Sequence, residues 1–261
     1  NIQKLERFGY EMIAPDRGML ANGDDGDGRM PEPEVLFEYI LRELAFEKDL
    51  AGKKVLVTAG ATMEAIDPVR YITNHSSGKM GCALAKAAMQ RGAKVTLVAG
   101  HMEVLPPMFV DVVNVKSAAD MFEAVTKLAP EQDIIVKAAA VADYTPVAVA
   151  DNKIKKSDDD MKIELKRTQD ILGYLGQHKR DGQVICGFSM ETQDVIKNSE
   201  KKLTNKNCDM ICANSLKTAG AGFKTDTNVI TLITEGGAVE LPMMTKEDAA
   251  HRILDELAKM I

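Results

Sequence analysis

From residue 53 to the carboxyl terminus, short runs of β-branched residues alternate with longer segments whose apolar residues recur at helical spacing, which confines the chain to an α/β fold. The spacing predicts strands at 55–58, 94–98, 110–115, 134–141, 184–188 and 210–213, and helices over 77–91, 118–128 and 193–206. Strands joined through a helix run parallel, because the crossover returns the chain to the same end of the sheet. A run at 229–234, the turn Glu235-Gly236-Gly237 and a run at 238–241 predict a hairpin, followed by a closing helix over 246–260. The expected architecture is a Rossmann-like, doubly wound, mostly parallel sheet with a carboxyl-terminal hairpin extension. In such sheets ligands lie beyond the carboxyl ends of the strands and close to helix amino termini.

Ahead of this pattern, Pro15, Gly18, Gly23, Gly26, Gly28 and Pro31 are interleaved with Asp24, Asp25 and Asp27, a density of breakers that predicts an irregular loop over 1–31. Val35, Leu36, Ile40, Leu44 and Ala45 then recur at helical spacing and predict a helix over 32–50, with a boundary at Ala51-Gly52 dividing the chain into 1–51 and 52–261. The chain opens on Asn1-Ile2 rather than methionine, which suggests a fragment of something longer. Its net charge of -6 gives no general attraction to nucleic acid or an anionic membrane, so neither is an expected partner. An anionic substrate must therefore meet a local cluster of cations. No apolar run approaches the roughly 20 residues of a membrane-crossing helix. Cys82, Cys186, Cys208 and Cys212 stand among apolar residues without zinc or disulfide spacing, and read as reduced thiols of a cytoplasmic protein.

After the first strand comes Ala59-Gly60-Ala61-Thr62, and then a long loop reaching Asn74-His75-Ser76-Ser77-Gly78-Lys79-Met80-Gly81. The place is that of a phosphate-binding turn, but Thr73 and Met80 stand where a Walker A loop needs glycine and a hydroxyl, and no G-x-G-x-x-G follows the strand. The second strand ends in Ala99-Gly100-His101 without an acidic residue for a ribose, which disfavours a nicotinamide enzyme. What remains is a polar loop feeding a helix, with Ser76 or Ser77 as cap and Gly78 and Gly81 for close approach. Arg70, Asn74 and Lys79 beside that helix end suit a phosphate or a developing oxyanion. His75 reads as a hydrogen-bonding or solvated residue.

Small residues follow the 134–137 run, from Ala138 to Ala142, leaving room for a flat ligand with Asp143 at the rim. Lys153, Lys155 and Lys156 form a charged run, and Lys202 and Lys206, four residues apart, share a helix face. Solvent exposure would explain either group of lysines; a polyphosphate would also exploit the second. Phe188, at a strand end, suits stacking on a base or a place in the core.

Together these residues resemble the phosphopantothenate-cysteine ligase domain of the bifunctional bacterial phosphopantothenoylcysteine decarboxylase and synthetase. The resemblance rests on Val57 to Thr62, Asp67 to Gly81, Ala138 to Tyr144, Lys153-Ile154-Lys155-Lys156, Gly187-Phe188 with Glu191-Thr192, and Asp209 to Asn214, in matching order over 52–261. It implies a CTP-dependent ligation of 4'-phosphopantothenate and cysteine in coenzyme A biosynthesis, through an acyl-cytidylate. By position it implies a nucleotide pocket of Ala139, Asp143, Gln169, Asp170, Ile171, Leu172 and Phe188, with Lys153, Lys202 and Lys206 on the phosphates. Arg70, Asn74, Ser76, Ser77 and Gly78 would receive the phosphopantothenoyl group, with Asn74, Arg70 and Lys153 catalytic. Magnesium would ride on the triphosphate rather than on side chains, and the domain would pair as a homodimer. Residues 15–33 resemble the closing segment of the flavin-dependent decarboxylase half, but Asn22 stands where that family has its catalytic cysteine. Neither decarboxylation nor FMN binding is expected of this chain. Two other readings stay open: an NAD(P)-dependent oxidoreductase, and a non-catalytic binding subunit on the same fold.

Overall fold

The computed structural model describes residues 1–156, 160–191, 194–215 and 225–261, and divides into two compact units, Asn1–Glu47 and Lys48–Ile261. Thr192, part of one resemblance motif, lies outside the described residues.

The first unit is more regular than its breakers predict. It holds α1 (Ile2–Arg7), an antiparallel pair β1 (Asp16–Met19) and β2 (Asp25–Arg29), and α2 (Pro33–Leu44). The segment 1–31 is therefore not an irregular loop but a short helix and a hairpin. Asn22-Gly23 is a hairpin turn: Gly23 sits at φ 88°, Asn22 Oδ1 accepts from the Asp24 N–H at 3.2 Å, and Leu20 N–H donates to Asp24 O at 2.8 Å. The glycines of β2 thus belong to a strand. Proline at the first position of α2 costs nothing, since that N–H has no partner within a helix.

The second unit is built on an eight-stranded sheet. In chain order its elements are β3 (Lys54–Ala59), β4 (Met63–Ala65), β5 (Tyr71–Thr73), α3 (Lys79–Gln90), β6 (Lys94–Ala99), β7 (Asp111–Asn114), α4 (Ala118–Leu128), β8 (Ile134–Lys137), β9 (Tyr144–Pro146), β10 (Leu165–Arg167), α5 (Ile171–Gln177) and β11 (Val184–Glu191). Then come α6 (Val195–Asn205), β12 (Met210–Ser215), β13 (Thr227–Asn228), β14 (Ile230–Thr234), β15 (Gly237–Glu240), β16 (Met244–Thr245) and α7 (Lys246–Ala258). The strand order is β15-β14-β12-β11-β8-β3-β6-β7, parallel from β12 to β7 and antiparallel through β14 and β15. This is the doubly wound sheet with a terminal hairpin that the alternation predicts.

Both faces are buried, as parallel strands require. Val55, Val57, Ile134 and Val136 point to one face, where Leu84 of α3 and Ile253 and Leu254 of α7 cover them; Leu56 and Ile135 point to the other, under Met121 of α4, Leu175 of α5 and Leu203 of α6. Gly81 lets α3 lie directly on β3, since a Cβ there would stand 2.5 Å from the Ala59 Cβ. The thiols fit this core: desolvation pushes the half-buried Cys82 up to about 11 and the buried Cys208 up to about 12, so both stay protonated.

Several elements carry too little periodicity to be read in advance. The pairs β4–β5, β9–β10 and β13–β16 are two or three residues long. The seven-residue α5 is announced only by its cap, where the Asp170 carboxylate accepts from the Gly173 N–H at 2.9 Å. The 134–141 run leaves the strand after Lys137, and the hairpin turn tightens to Glu235-Gly236, since Thr234 pairs with Gly237. Neither serine caps α3. Gly78 is the N-cap, at φ 79° in the left-handed region, and Ser77 is buried just ahead of it.

Candidate functional site

The carboxyl ends of β3, β8, β11 and β12 open into a cavity of about 540 Å³ within the second unit. Its walls come from the predicted places: the loop from Asn74 to Gly78, the first turn of α3, the stretch from Ala138 to Val141 with Asp143, and Phe188. The Oγ1 of Thr58, fully buried, accepts from the Ala139 N–H at 3.0 Å and ties the rim to β3. The buried Thr62 does the same for Ala142 N–H at 3.0 Å. Asn74 Nδ2 donates to Val141 O at 3.2 Å, which sets its carboxamide beside the rim.

The cations divide by sheet face. Lys137 follows Ile135 by two residues and so shares the face covered by α5 and α6, where Lys202 donates to Phe188 O at 3.0 Å. Burial, and secondarily the Lys202 charge, push the Lys137 ammonium down to about 8, against the pull of Asp170 and Asp143. On the other face, Lys79 and Lys246 open α3 and α7 and line the same cavity. Lys137 carries no motif signal, because a lysine ending an apolar run reads as a strand terminus.

Other predicted residues stand apart from the cavity lining. Lys206 ends α6 and ion-pairs with Asp170. That bond, the Gly173 N–H and the Lys137 charge hold the Asp170 carboxyl below its ordinary value, although burial opposes them. Ile171 and Leu172 put their side chains into the core, and Gln169 is exposed. Arg70 is held by Asp67, with guanidinium contacts of 2.6 and 3.0 Å, and also donates to Ile154 O at 3.2 Å. The buried Asp67 accepts further from the N–H groups of Val69, Arg70 and Ile154. Arg70 and these N–H groups keep its carboxyl well below the usual range. Asp67 therefore clasps the Arg70 turn to the segment that carries the exposed Lys153. Within one chain the cavity takes Lys202 but, among the described residues, not Lys153, Lys206 or Arg70.

Among the described residues no three His, Cys, Asp or Glu side chains converge as a metal site. Nor is any helix among them long and apolar enough to cross a membrane.

A family model described as the DNA/pantothenate metabolism flavoprotein C-terminal domain matches residues 50–261. The coenzyme A biosynthesis bifunctional protein CoaBC of Bacillus subtilis is 48% identical over 100% of this chain, which spans 65% of that relative's length. A cysteine/cysteine sulfinic acid decarboxylase of an unknown prokaryotic organism is 43% identical over 100% of this chain and 74% of its own length. A crystal structure of the C-terminal domain of CoaBC superposes with a TM-score of 0.70 at 43% identity, covering 82% of this chain and 98% of that one. The motif resemblance, the doubly wound sheet and these matches agree, and the chain belongs to the DNA/pantothenate metabolism flavoprotein C-terminal domain family.

Proposed function

We propose that this chain ligates 4'-phosphopantothenate and L-cysteine in coenzyme A biosynthesis, using CTP. The observation that carries the reading is one cavity at the carboxyl edge of the sheet that is lined by the Asn74 loop, the amino end of α3 and four lysines in an otherwise acidic protein. Such a site suits two phosphate-bearing substrates, a phosphorylated acid and a nucleoside triphosphate.

A carboxylate is a poor electrophile, so the substrate carboxylate oxygen first bonds to the α-phosphorus of CTP as the bond to the β-phosphate oxygen breaks and pyrophosphate leaves. The cysteine amine, having lost its proton, then attacks the acyl carbon of the cytidylate, and CMP departs. Lys137 and Lys202 would offset charge on the nucleotide, and Asp143 and Phe188 would border its base. Asn74 would move its Nδ2 donor from Val141 O to the reacting acyl-phosphate oxygen. Magnesium accompanying the triphosphate would be held through phosphate oxygens and water. A homodimer would give Lys153, Lys206 and Arg70 a route to the cavity of a neighbouring protomer, in a cytoplasmic enzyme. Asn22 argues for ligation without decarboxylation.

The test mixes the protein with phosphopantothenate, cysteine, magnesium and either CTP or ATP, and measures pyrophosphate. Release with CTP, dependent on phosphopantothenate, and a product that forms only with cysteine is the expected result. Oxidation or reduction of a nicotinamide cofactor, with no pyrophosphate, overturns it.

A further inference from the structure

The second half of the ligation needs an acceptor for the proton that the cysteine ammonium must lose, because only the free amine has a lone pair for the acyl carbon. The titratable groups lining the cavity are His75, Lys79, Lys137, Asp143, Lys202 and Lys246, of which His75 and Asp143 are exposed. Three of the lysines are held by acceptors: Lys79 by Asp226 at 2.6 Å, Lys202 by Phe188 O at 3.0 Å, and Lys246 by Thr225 O. Each such acceptor favours the charged form. Lys137 differs, since among the described residues its ammonium makes neither an ion pair nor a hydrogen bond. The local structure explains why. Lys137 ends β8, and its register partners on the flanking strands are Thr58 of β3 and Gly187 of β11. Thr58 Oγ1 is taken by the Ala139 N–H, and Gly187 offers no side chain. Two carboxylates attract the ammonium without bonding to it: Asp170, at the cap of α5, is occupied by Lys206 and the Gly173 N–H, and Asp143 lies at the rim. Burial first, and then repulsion by Lys202 from α6, hold the ammonium down to about 8 against that attraction. Near neutral pH a share of the side chain is therefore a free amine lining the cavity.

We propose that Lys137 accepts the proton of the incoming cysteine ammonium in the second half of the reaction. The assignment rests on the ligase reading and supplies the proton route which that reading leaves open. With the triphosphate in place, negative charge keeps Lys137 protonated. Pyrophosphate carries that charge away, and the ammonium releases its proton to water. The neutral amine then takes one proton from the cysteine ammonium. The freed lone pair of the cysteine nitrogen bonds to the acyl carbon, the bond from that carbon to the cytidylate oxygen breaks, and its electron pair leaves on CMP. The nitrogen's second proton passes to water as the amide forms, and Lys137 is left charged for the next nucleotide.

The experiment separates the two halves of the reaction in the full chain. Wild type, Lys137→Arg and Lys137→Met are mixed with CTP, magnesium and phosphopantothenate, and pyrophosphate is measured; cysteine is then added and amide formation is timed at pH values on either side of about 8. Arginine keeps the charge that meets the nucleotide but does not give up its proton. Pyrophosphate release should therefore stay near wild type in Lys137→Arg, while amide formation at neutral pH falls about 100-fold. Wild-type amide formation should climb through about pH 8, and the deficit of the variant should shrink at higher pH, where cysteine frees its own amine. Cysteine methyl ester, whose amine loses its proton more readily, should shrink the deficit in the same way. If Lys137→Arg does not fold, Lys137→Met carries the pH and ester comparisons. A deficit that is the same at every pH and with the ester, a variant that forms the amide at the wild-type rate, or a Lys137→Arg protein that folds but releases no pyrophosphate overturns the proton role and leaves the ligase reading standing. A wild type that releases no pyrophosphate overturns both.

Discussion

Asn74 and Lys137 show how differently single residues can announce themselves. Asn74 is legible because a polar loop after the first strand of such a sheet can serve few other purposes, and it does line the cavity. In Asn74→Asp the donor to Val141 O becomes a carboxylate beside a carbonyl and a phosphate site. Turnover should fall about 100-fold, as for loss of a donor to a developing oxyanion. Thermal melting should move little, because the position is exposed. Lys137 is illegible: its significance comes from burial and from Lys202, which only the folded chain brings near. Its folded value of about 8 lies below the 10.5 of an ordinary lysine, so between those values the unfolded chain binds more protons and stability rises with pH. Below pH 8 the full cost of the buried ammonium is present. Lys137→Met should accordingly stabilise the protein by about 1–2 kcal/mol at pH 7, with the gain fading toward pH 10.5. Denaturant melts across that range measure it, and nucleotide affinity should fall in the same variant.

The long elements follow from periodicity, and their ends do not. Helix α4 runs over Ala118–Leu128, as its spacing predicts, and Ser117 and Asp120 form a reciprocal capping box that fixes its start. Helix α3 begins two residues later than predicted because the cap is a left-handed glycine rather than a serine. The contact that matters to α3 is between elements: Gly81 on β3, which places the helix's first turn against the cavity. Gly81→Ala would drive a methyl into Ala59 and the Thr58 carbonyl, 2.5 and 3.0 Å away. The variant should lose about 2 kcal/mol, the cost of overpacking a rigid contact. It should also bind phosphate ligands less tightly as α3 shifts, and melts in parallel with titrations check both effects.

Across the described residues, the buried apolar core lies between Leu50 and Leu257, and in Asn1–Glu47 Pro31 alone is buried. Opening of the first unit therefore exposes little that was hidden from water. Its backbone amides should exchange with deuterium far faster than those of β3, β8 and β11, which can exchange only when the central sheet opens. Equal protection in the two units, read by native-state hydrogen exchange, is the contrary result. The sequence by itself determined the order of strands and helices, the parallel sheet and the edge at which ligands must lie, because side-chain periodicity and crossover geometry are local or nearly so. Only the tertiary structure decided which cations share a cavity. Lys202 faces it while Lys206, one turn on, turns to Asp170; Lys137, Lys79 and Lys246, from three separate elements, meet around it. Charge proximity depends on how whole helices pack across a sheet, and the spacing of residues along one chain carries no measure of that distance.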